Sequence, residues 1–544
     1  MGWFRYAVPG LLLLGATSPT NAQAPITPGG VGDTLRRMPE IQPLPPLQSL
    51  GKKPLRNSFV PANTTEKTIT VDRFEFAGNT LYSSNVLMAL VADYNKRPIT
   101  LLELYEAADK ITAFYVEQGY TLASVAVPAQ KVSSGSVRFE VLEGQIGELR
   151  YEGLKSYHPN TLDSYLNVVD GSVYRGSRFE EALRTVDALP GLDAKAQLRP
   201  GTVYGTSDIV VQAAEKRIEG SVFLDNAGTD SIGVFRYSAQ LTINNPLRYA
   251  DQLSLFGLRS RSHLGFKGED GLLNYGSATY SVPVGFSKSR VNASYGYAEF
   301  DVQGAFTGVG GKNQNAKLEL VVPVPQDTTD QMAVTASLNH TRANTDFSGT
   351  TFSESKVSTL DAGGSFSHTH ANRAASQATV LVGLNIGSNN AAGISKRPAR
   401  IELDLQHLMP LPAQFQFLAH SNLVYATDEM SDTQKFALGG PSSIRGYAPS
   451  EARGDWGYLA QLTLRRPMSF GRFVLIPRAF FDAGATRQHD NSQQQLSLTS
   501  AGGGFDAAFY NLSLKLDYAA PLSKTPVSDG KEDGRLYSTF SLAF

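Results

Sequence analysis

Alternation of apolar and polar residues governs the chain from about Arg217 to Phe544, in runs of about ten residues, the length of a tilted membrane-spanning strand. In one run Ile401, Leu403 and Leu405 interleave with Arg400, Glu402, Asp404 and Gln406. In another Leu512, Leu514, Leu516 and Tyr518 alternate with Asn511, Ser513, Lys515 and Asp517, and a third sets Leu318, Leu320, Val322 and Val324 against Lys317 and Glu319. Such a strand has one face fit for lipid and one whose charges must meet water. A soluble sandwich with one solvated face shares this alternation. Three features favour a transmembrane antiparallel β-barrel: the long runs, their leucine-rich and aromatic apolar faces, and a chain that ends in strand with Phe540, Leu542 and Phe544 on one face. At roughly 20 residues per strand and connection, residues 217–544 hold about 16 strands, an even number that lets every backbone group pair around a closed sheet.

The chain has 544 residues and a formal net charge of -1, from 49 Lys and Arg against 50 Asp and Glu, so no long-range field draws in nucleic acid. It contains no cysteine, which excludes disulfide scaffolds, thiolate metal sites and cysteine nucleophiles. Past the N-terminus no run approaches the ~20 apolar residues that a membrane helix needs. Residues 1–22 have the form of a secretory signal peptide: Arg5, an apolar core containing Leu11 to Leu14, then small residues. Cleavage after Ala22 is preferred to cleavage after Ala24, because Pro25 would follow the latter. Residues 23–66 carry Pro25, Pro28, Pro39, Pro43, Pro45, Pro46, Pro54 and Pro61, and read as an extended periplasmic linker.

Two α+β modules follow, over 67–144 and 145–216. In the first, Ile69, Val71, Phe74 and Phe76 suggest a strand, and a helix follows over 83–94. Thr100 and Glu103 form a capping box ahead of an apolar stripe of Leu101, Leu104, Ala108, Ile111 and Tyr115, stopped by Gly119. Strands are expected over 121–127 and 137–142. The same order then repeats: a strand over 146–151, a helix from Pro159, a second capping box at Ser177 and Glu180, and strands over 194–198 and 208–213. Each module leaves a strand edge able to accept an extended peptide.

Between the strands ending near Tyr425 and starting near Tyr458 lies a long connection, 428–456, containing Phe436-Ala-Leu-Gly-Gly-Pro-Ser-Ser-Ile-Arg-Gly-Tyr447; further on comes Phe480-Phe-Asp-Ala-Gly484. This pair closely resembles the VRGY loop motif and FxDxG strand motif of the polypeptide-transporting outer-membrane barrels, with Ile444 in place of Val. The two modules resemble POTRA domains, and having two of them points to the two-partner secretion transporters (TpsB, hemolysin secretion/activation type, ShlB/FhaC/HecB-like). Glu143-Gly144, Leu189-Pro190-Gly191, Pro200-Gly201, Gly205-Thr-Ser-Asp208 and Asp225-Asn226 with Gly228 also match, so the resemblance runs from about residue 65 to the end. It implies that the connection folds into the barrel and that Arg445 pairs with Asp482 on the inner wall, with Gly446 allowing a tight turn and Tyr447 packing on the wall. A bidentate guanidinium–carboxylate pair is directional enough to pin a long loop. Phe480 and Gly484 share the face of Asp482 by the strand period of two and would shape the landing site. Some family members carry an N-terminal plug helix; here Gly29, Gly30 and Gly32 among the prolines leave little room for one.

Other chemistry is sparse. His368 and His370 sit at strand spacing, but a lone pair is more often polar wall than a metal site. Gly308-Val-Gly-Gly-Lys312 lacks the spacing of a phosphate loop and reads as an exposed hairpin, while Gly502-Gly503-Gly504 in a strand pattern would permit close approach of a segment such as the inward loop. No catalytic residue, metal or cofactor is assigned, and no enzyme is expected. The resemblance implies a transporter in the outer membrane of a Gram-negative bacterium, with POTRA modules in the periplasm that recognise the N-terminal secretion domain of one large exoprotein of hemolysin or adhesin type. The exoprotein would pass outward unfolded. The C-terminal strand ending at Phe544 resembles the signal read by the barrel assembly machinery. The alternatives are an assembly factor that inserts other barrels, which resembles longer POTRA arrays, and a passive porin, which would lack the modules and the loop motif.

Overall fold

The computed structural model describes residues 68–544 apart from 133–134, 169–170, 265–271, 286–288, 304–306, 325–329, 390–396, 490–494 and 524–532; the expected signal peptide, linker and plug region lie outside the described residues. The first module comprises β1 (Thr68–Val71), β2 (Arg73–Ala77), α1 (Ser84–Leu90) with a short 3-10 turn (Ala92–Tyr94), β3 (Arg97–Thr100), α2 (Leu101–Glu117), β4 (Ser124–Ala126) and β5 (Ser136–Leu142). Thr100 and Glu103 make the expected capping box at the start of α2, whose Leu104, Ile111 and Tyr115 pack against Val125, Val137 and Val141. The single first strand expected from the sequence instead divides at Asp72, whose amide donates to the Gly135 carbonyl at 2.7 Å. As a result β1 pairs with β3, an element hidden in the sequence by Pro98, while β2 runs parallel to β5.

The second module comprises β6 (Gln145–Glu152), α3 (Pro159–Leu166), α4 (Gly176–Asp187), β7 (Leu192–Pro200) and β8 (Thr206–Glu215), with sheet order β6-β8-β7. The second capping box is not formed: α4 begins at Gly176, its N-cap is Arg175, and no side chain caps it. A tertiary bond replaces the cap, since the Gly176 amide donates to the Gly119 carbonyl at the end of the first module's long helix at 2.9 Å.

The repeat extends to a detail that the sequence reading left unmatched. Glu143, just after β5, accepts the amides of Thr80 and Leu81 at 2.8 Å each and the Tyr115 hydroxyl at 3.0 Å. Glu215, at the end of β8, likewise accepts the amides of Lys155 and Ser156 at 2.8 Å. In each module a carboxylate thus ties the loop after the first long strand to the end of the last one. Burial acts to raise the Glu215 pKa, but its hydrogen bonds from Ser156, Lys155 and Tyr157 outweigh that and hold it below the usual value. Replacing Glu143 with alanine leaves the buried Tyr115 hydroxyl without its acceptor, at a cost of about 1–3 kcal/mol, while the exposed Thr80 and Leu81 amides can turn to water. We expect the first module to lose about 1–3 kcal/mol, read as faster amide hydrogen exchange across α2; unchanged protection would refute the clamp.

The barrel runs through β9 (Ile218–Asp225), β10 (Phe235–Asn244), β11 (Gln252–Arg261), β12 (Leu272–Pro283), β13 (Arg290–Asp301), β14 (Val309–Val324), β15 (Asp330–Phe347), β16 (Thr350–Thr369), β17 (Ala375–Asn389), β18 (Ala399–Pro410) and β19 (Gln416–Ala426). A hairpin of β20 (Phe436–Leu438) and β21 (Ala452–Gly454) interrupts it. The wall then continues with β22 (Trp456–Arg465), β23 (Met468–Phe470), β24 (Phe473–Arg487), β25 (Gln495–Phe509), β26 (Leu512–Pro521) and β27 (Arg535–Ala543). Because β22 and β23 are two pieces of one strand, both paired to β24, sixteen antiparallel strands close the sheet when β27 pairs with β9. Leu318, Leu338, Leu360 and Leu384 lie in one register row across β14 to β17, each about half exposed, and mark the outward face. Lys317 and Glu319, of opposite parity, ion-pair at 2.6 Å on the inward face. Val309 to Lys312, expected as a hairpin, instead opens β14.

The second module docks on the barrel turns at its own end of the sheet. Ala250, between β10 and β11, is buried in that module's core, and its carbonyl accepts Arg290 Nη1 at 3.0 Å. Asn244 Nδ2 donates to the Lys216 carbonyl at 2.8 Å.

Candidate functional site

The connection from β19 to β22 carries its own small core. The β20–β21 hairpin pairs Phe436 with Gly454 and Leu438 with Ala452, and Phe436, Leu438, Ile444 and Tyr447 pack with Leu459 and Leu498 of the wall. The base of the loop is pinned by Asp455, fully buried, which accepts the Met430 amide at 2.6 Å and the His489 amide at 2.7 Å. Arg453 pairs with Asp432 on the same segment. A loop that buries its apolar side chains against the inner wall has exchanged solvent for lumen, and the hydrophobic gain favours the inward position.

At its tip the structure brings Arg445 and Asp482 together. Arg445 Nε and Nη2 donate to the two Asp482 carboxylate oxygens at 2.8 and 2.6 Å, and the Arg445 amide donates to Oδ2 at 3.1 Å. Asp482 is fully buried and Arg445 only 7% exposed. The guanidinium carbon also lies 3.4 Å from the Phe480 ring centroid, a cation–π stack that fixes the plane of the fork. A β-carbon at Gly484 would come within 2.5 Å of the Tyr458 carbonyl and about 3 Å of Leu438 and Ile444, so this position must stay bare for the loop to seat. Gly446 adopts φ +93, a left-handed conformation that turns the chain between Arg445 and Tyr447.

Tyr447 reaches past the ion pair, its hydroxyl donating to the Thr499 carbonyl at 2.9 Å. Tyr537 completes the clamp: its hydroxyl accepts the Gly446 amide at 3.2 Å and donates to the Tyr447 carbonyl at 2.9 Å. The Gly502-Gly503-Gly504 stretch is not approached by the loop itself. Gly502 instead leaves room for the Phe480 ring, and Gly504 for Asp517. Arg478 Nε donates to Asp517 at 2.7 Å and Nη1 to Asp506 at 2.5 Å, so a second ionic cluster lies two strand residues below Phe480. His368 and His370, expected as polar wall, lie on the outward face with Phe366; His368 is 2.5 Å from Asp330.

Residues 205–507, over half the chain, match the family model described as haemolysin secretion/activation protein ShlB/FhaC/HecB, and residues 69–144 match the ShlB-type POTRA domain. The chain belongs to the haemolysin secretion/activation family. It is thus a two-partner secretion transporter of the outer membrane, with its POTRA modules in the periplasm. Among sequence relatives of this family member is the heme/hemopexin transporter protein HuxB of Haemophilus influenzae (strain 86-028NP), 24% identical over 470 residues, 80% of each chain. CdiB from Escherichia coli superposes with a TM-score of 0.70 at 20% identity, covering 89% of this chain and 92% of that one. CdiB from Acinetobacter baumannii superposes at 0.63 and 15% identity, covering 94% and 96%. At these identities the two structures speak to the fold alone.

Several residues at this transporter's loop carry no motif. Tyr537 and Gln461 were unremarked in the sequence because each is an ordinary inward position of an alternating strand, and Thr499, of outward parity, contributes only its carbonyl. The only signal available was parity: Gln461 pairs across the ladder with Asp482 and with His420.

Proposed function

We propose that the POTRA modules capture the N-terminal secretion domain of one large exoprotein as an extended segment, and that the barrel passes this partner outward unfolded, past a loop tied to the wall by Arg445 and Asp482. The observation that carries this reading is the inward loop, buried at its tip on a bidentate ion pair inside a barrel joined to the second module. Two open edges suit an extended segment: among the described residues β7 pairs only with β8, and β2 only with β5. Main-chain pairing along such an edge gives affinity, and side-chain pockets give selectivity. A lumen lined by Lys515, Arg478, Glu402 and Asp404 stays wet, and a chain passes a narrow wet channel only without its folded core. No catalytic step or cofactor enters this reading. The final strand would also be what the assembly machinery reads when it inserts the barrel.

Comparison of secreted and outer-membrane proteomes with and without this gene tests the reading. The expected result is loss of one or two large proteins from the medium with the membrane profile intact. Broad depletion of other barrels would instead make the chain an assembly factor.

A further inference from the structure

A second tether holds the inward loop two residues before Arg445. The Ser443 carbonyl lies 2.6 Å from Gln461 Nε2. A carbonyl only accepts, so the amide nitrogen must face it, and Gln461 Oε1 is left 2.9 Å from His420 Nδ1. That oxygen also only accepts; Nδ1 therefore carries a proton. The other ring nitrogen, Nε2, is 2.7 Å from Asp404 Oδ2. The same carboxylate takes Asn422 Nδ2 at 3.2 Å and Gln406 Nε2 at 3.1 Å, and this many donors favour the ionised acid. The shared proton then belongs to the ring, and His420 is an imidazolium with both nitrogens donating.

The other charges around this chain are already committed. Glu402 accepts Asn422 Nδ2 at 3.1 Å and lies 3.7 Å from Arg400 on β18. Asp482, the ladder partner of Gln461 on β24, is bound to Arg445. His420 itself is 15% exposed, screened from bulk water. We propose that His420, charged and braced by Asp404, is a positioning residue for the inward loop, holding the Ser443 carbonyl through Gln461. Removal of one ring proton turns a donor into an acceptor. The remaining proton stays on Nε2, where the ionised Asp404 accepts it, so Nδ1 becomes an acceptor facing the Gln461 Oε1 acceptor; Gln461 must rotate, and Ser443 is released while Arg445 still holds the tip. The inference rests on the loop-anchor reading above.

The absence of cysteine makes a clean probe possible: Ser442→Cys, half-buried beside the tether, supplies a single thiol. Its rate of modification by a small thiol reagent in the full-length protein is divided at each pH by that of a Ser469→Cys protein, whose exposed thiol in β23 reports the thiolate fraction alone. The ratio should be low near about pH 6 and rise about tenfold toward about pH 9, the size of one lost charge-assisted hydrogen bond. In His420→Phe and in Gln461→Leu it should be high and flat across the range. Heat-modifiable electrophoretic mobility confirms that each variant is a folded barrel, and the two variants approach the tether from opposite ends. A parent ratio flat with pH, or variants that follow the parent's profile, would overturn the proposal. Arg445→Ala should raise the ratio at every pH. If it does not, the loop-anchor reading falls; if it does while His420→Phe and Gln461→Leu match the parent, the relay alone falls.

Discussion

Export of the partner should drop by at least about a hundredfold in Arg445→Ala, with the barrel still folded in the outer membrane. The size follows from what the substitution leaves behind. Asp482 is fully buried, and without the guanidinium it keeps only the Arg445 amide as a donor from the loop. Breaking a buried pair by removing one partner costs about 3–5 kcal/mol, because the remaining charge stays desolvated. At about 1.4 kcal/mol per factor of ten, the docked loop loses two or more orders of magnitude against undocked arrangements. The barrel does not share that loss, since its backbone bonds close around the sheet independently of the loop. Arg445→Lys keeps the charge but loses the fork and the stack on Phe480, so it should fall between the two. Partner protein in the medium, set against the heat-modifiable barrel in the membrane, is the measurement. Normal export from Arg445→Ala would end the loop-anchor reading.

The same pair explains why the site was legible at all. Arg445 and Asp482 lie far apart in sequence, yet each sits in a motif whose residue types have one physical purpose: a glycine that turns a tip, a charged fork, and an aromatic and a glycine flanking the acid by the strand period. The barrel was legible because lipid enforces parity. Leu403 and Asp404 cannot exchange faces without burying a charge in lipid, so alternation in the sequence maps directly onto the wall. What stayed hidden were features set by tertiary partners. The start of α4 is fixed by the Gly119 carbonyl rather than by Ser177, and the break at Asp72 by the Gly135 carbonyl. His420 and Gln461 obey the same parity as inert wall positions; the ladder register pairs them with each other, and only the folded loop brings the Ser443 carbonyl onto Gln461.

Deletion of Phe544 should lower the folded barrel in the outer membrane by about tenfold, and a second substitution separates the two reasons why. The β9–β27 junction closes the sheet over a short span, Ser221–Asp225 against Thr539–Ala543, whereas β15 and β16 pair from Asp330 to Phe347. Its extracellular end is clipped by Asn226, which accepts the Ser538 amide at 2.7 Å and donates to the Leu536 carbonyl at 2.8 Å. Its periplasmic end depends on Phe544, which exchanges backbone bonds with Gly220 at 2.9 and 3.1 Å and lays its ring where a Gly220 side chain would be. Two such bonds at about 1 kcal/mol each, with the ring contact added, correspond to roughly tenfold or more in favour of a closed seam. Gly220→Val displaces the ring yet leaves the final residue in place, so any recognition of that residue during assembly is kept. If seam packing is what matters, both proteins should be scarce and lose heat-modifiable mobility together. If recognition is what matters, only the deletion should be scarce and the Gly220→Val barrel should accumulate normally. A deletion protein that assembles at the parent's level would remove Phe544 from both roles, leaving Asn226 as the seam's principal clip.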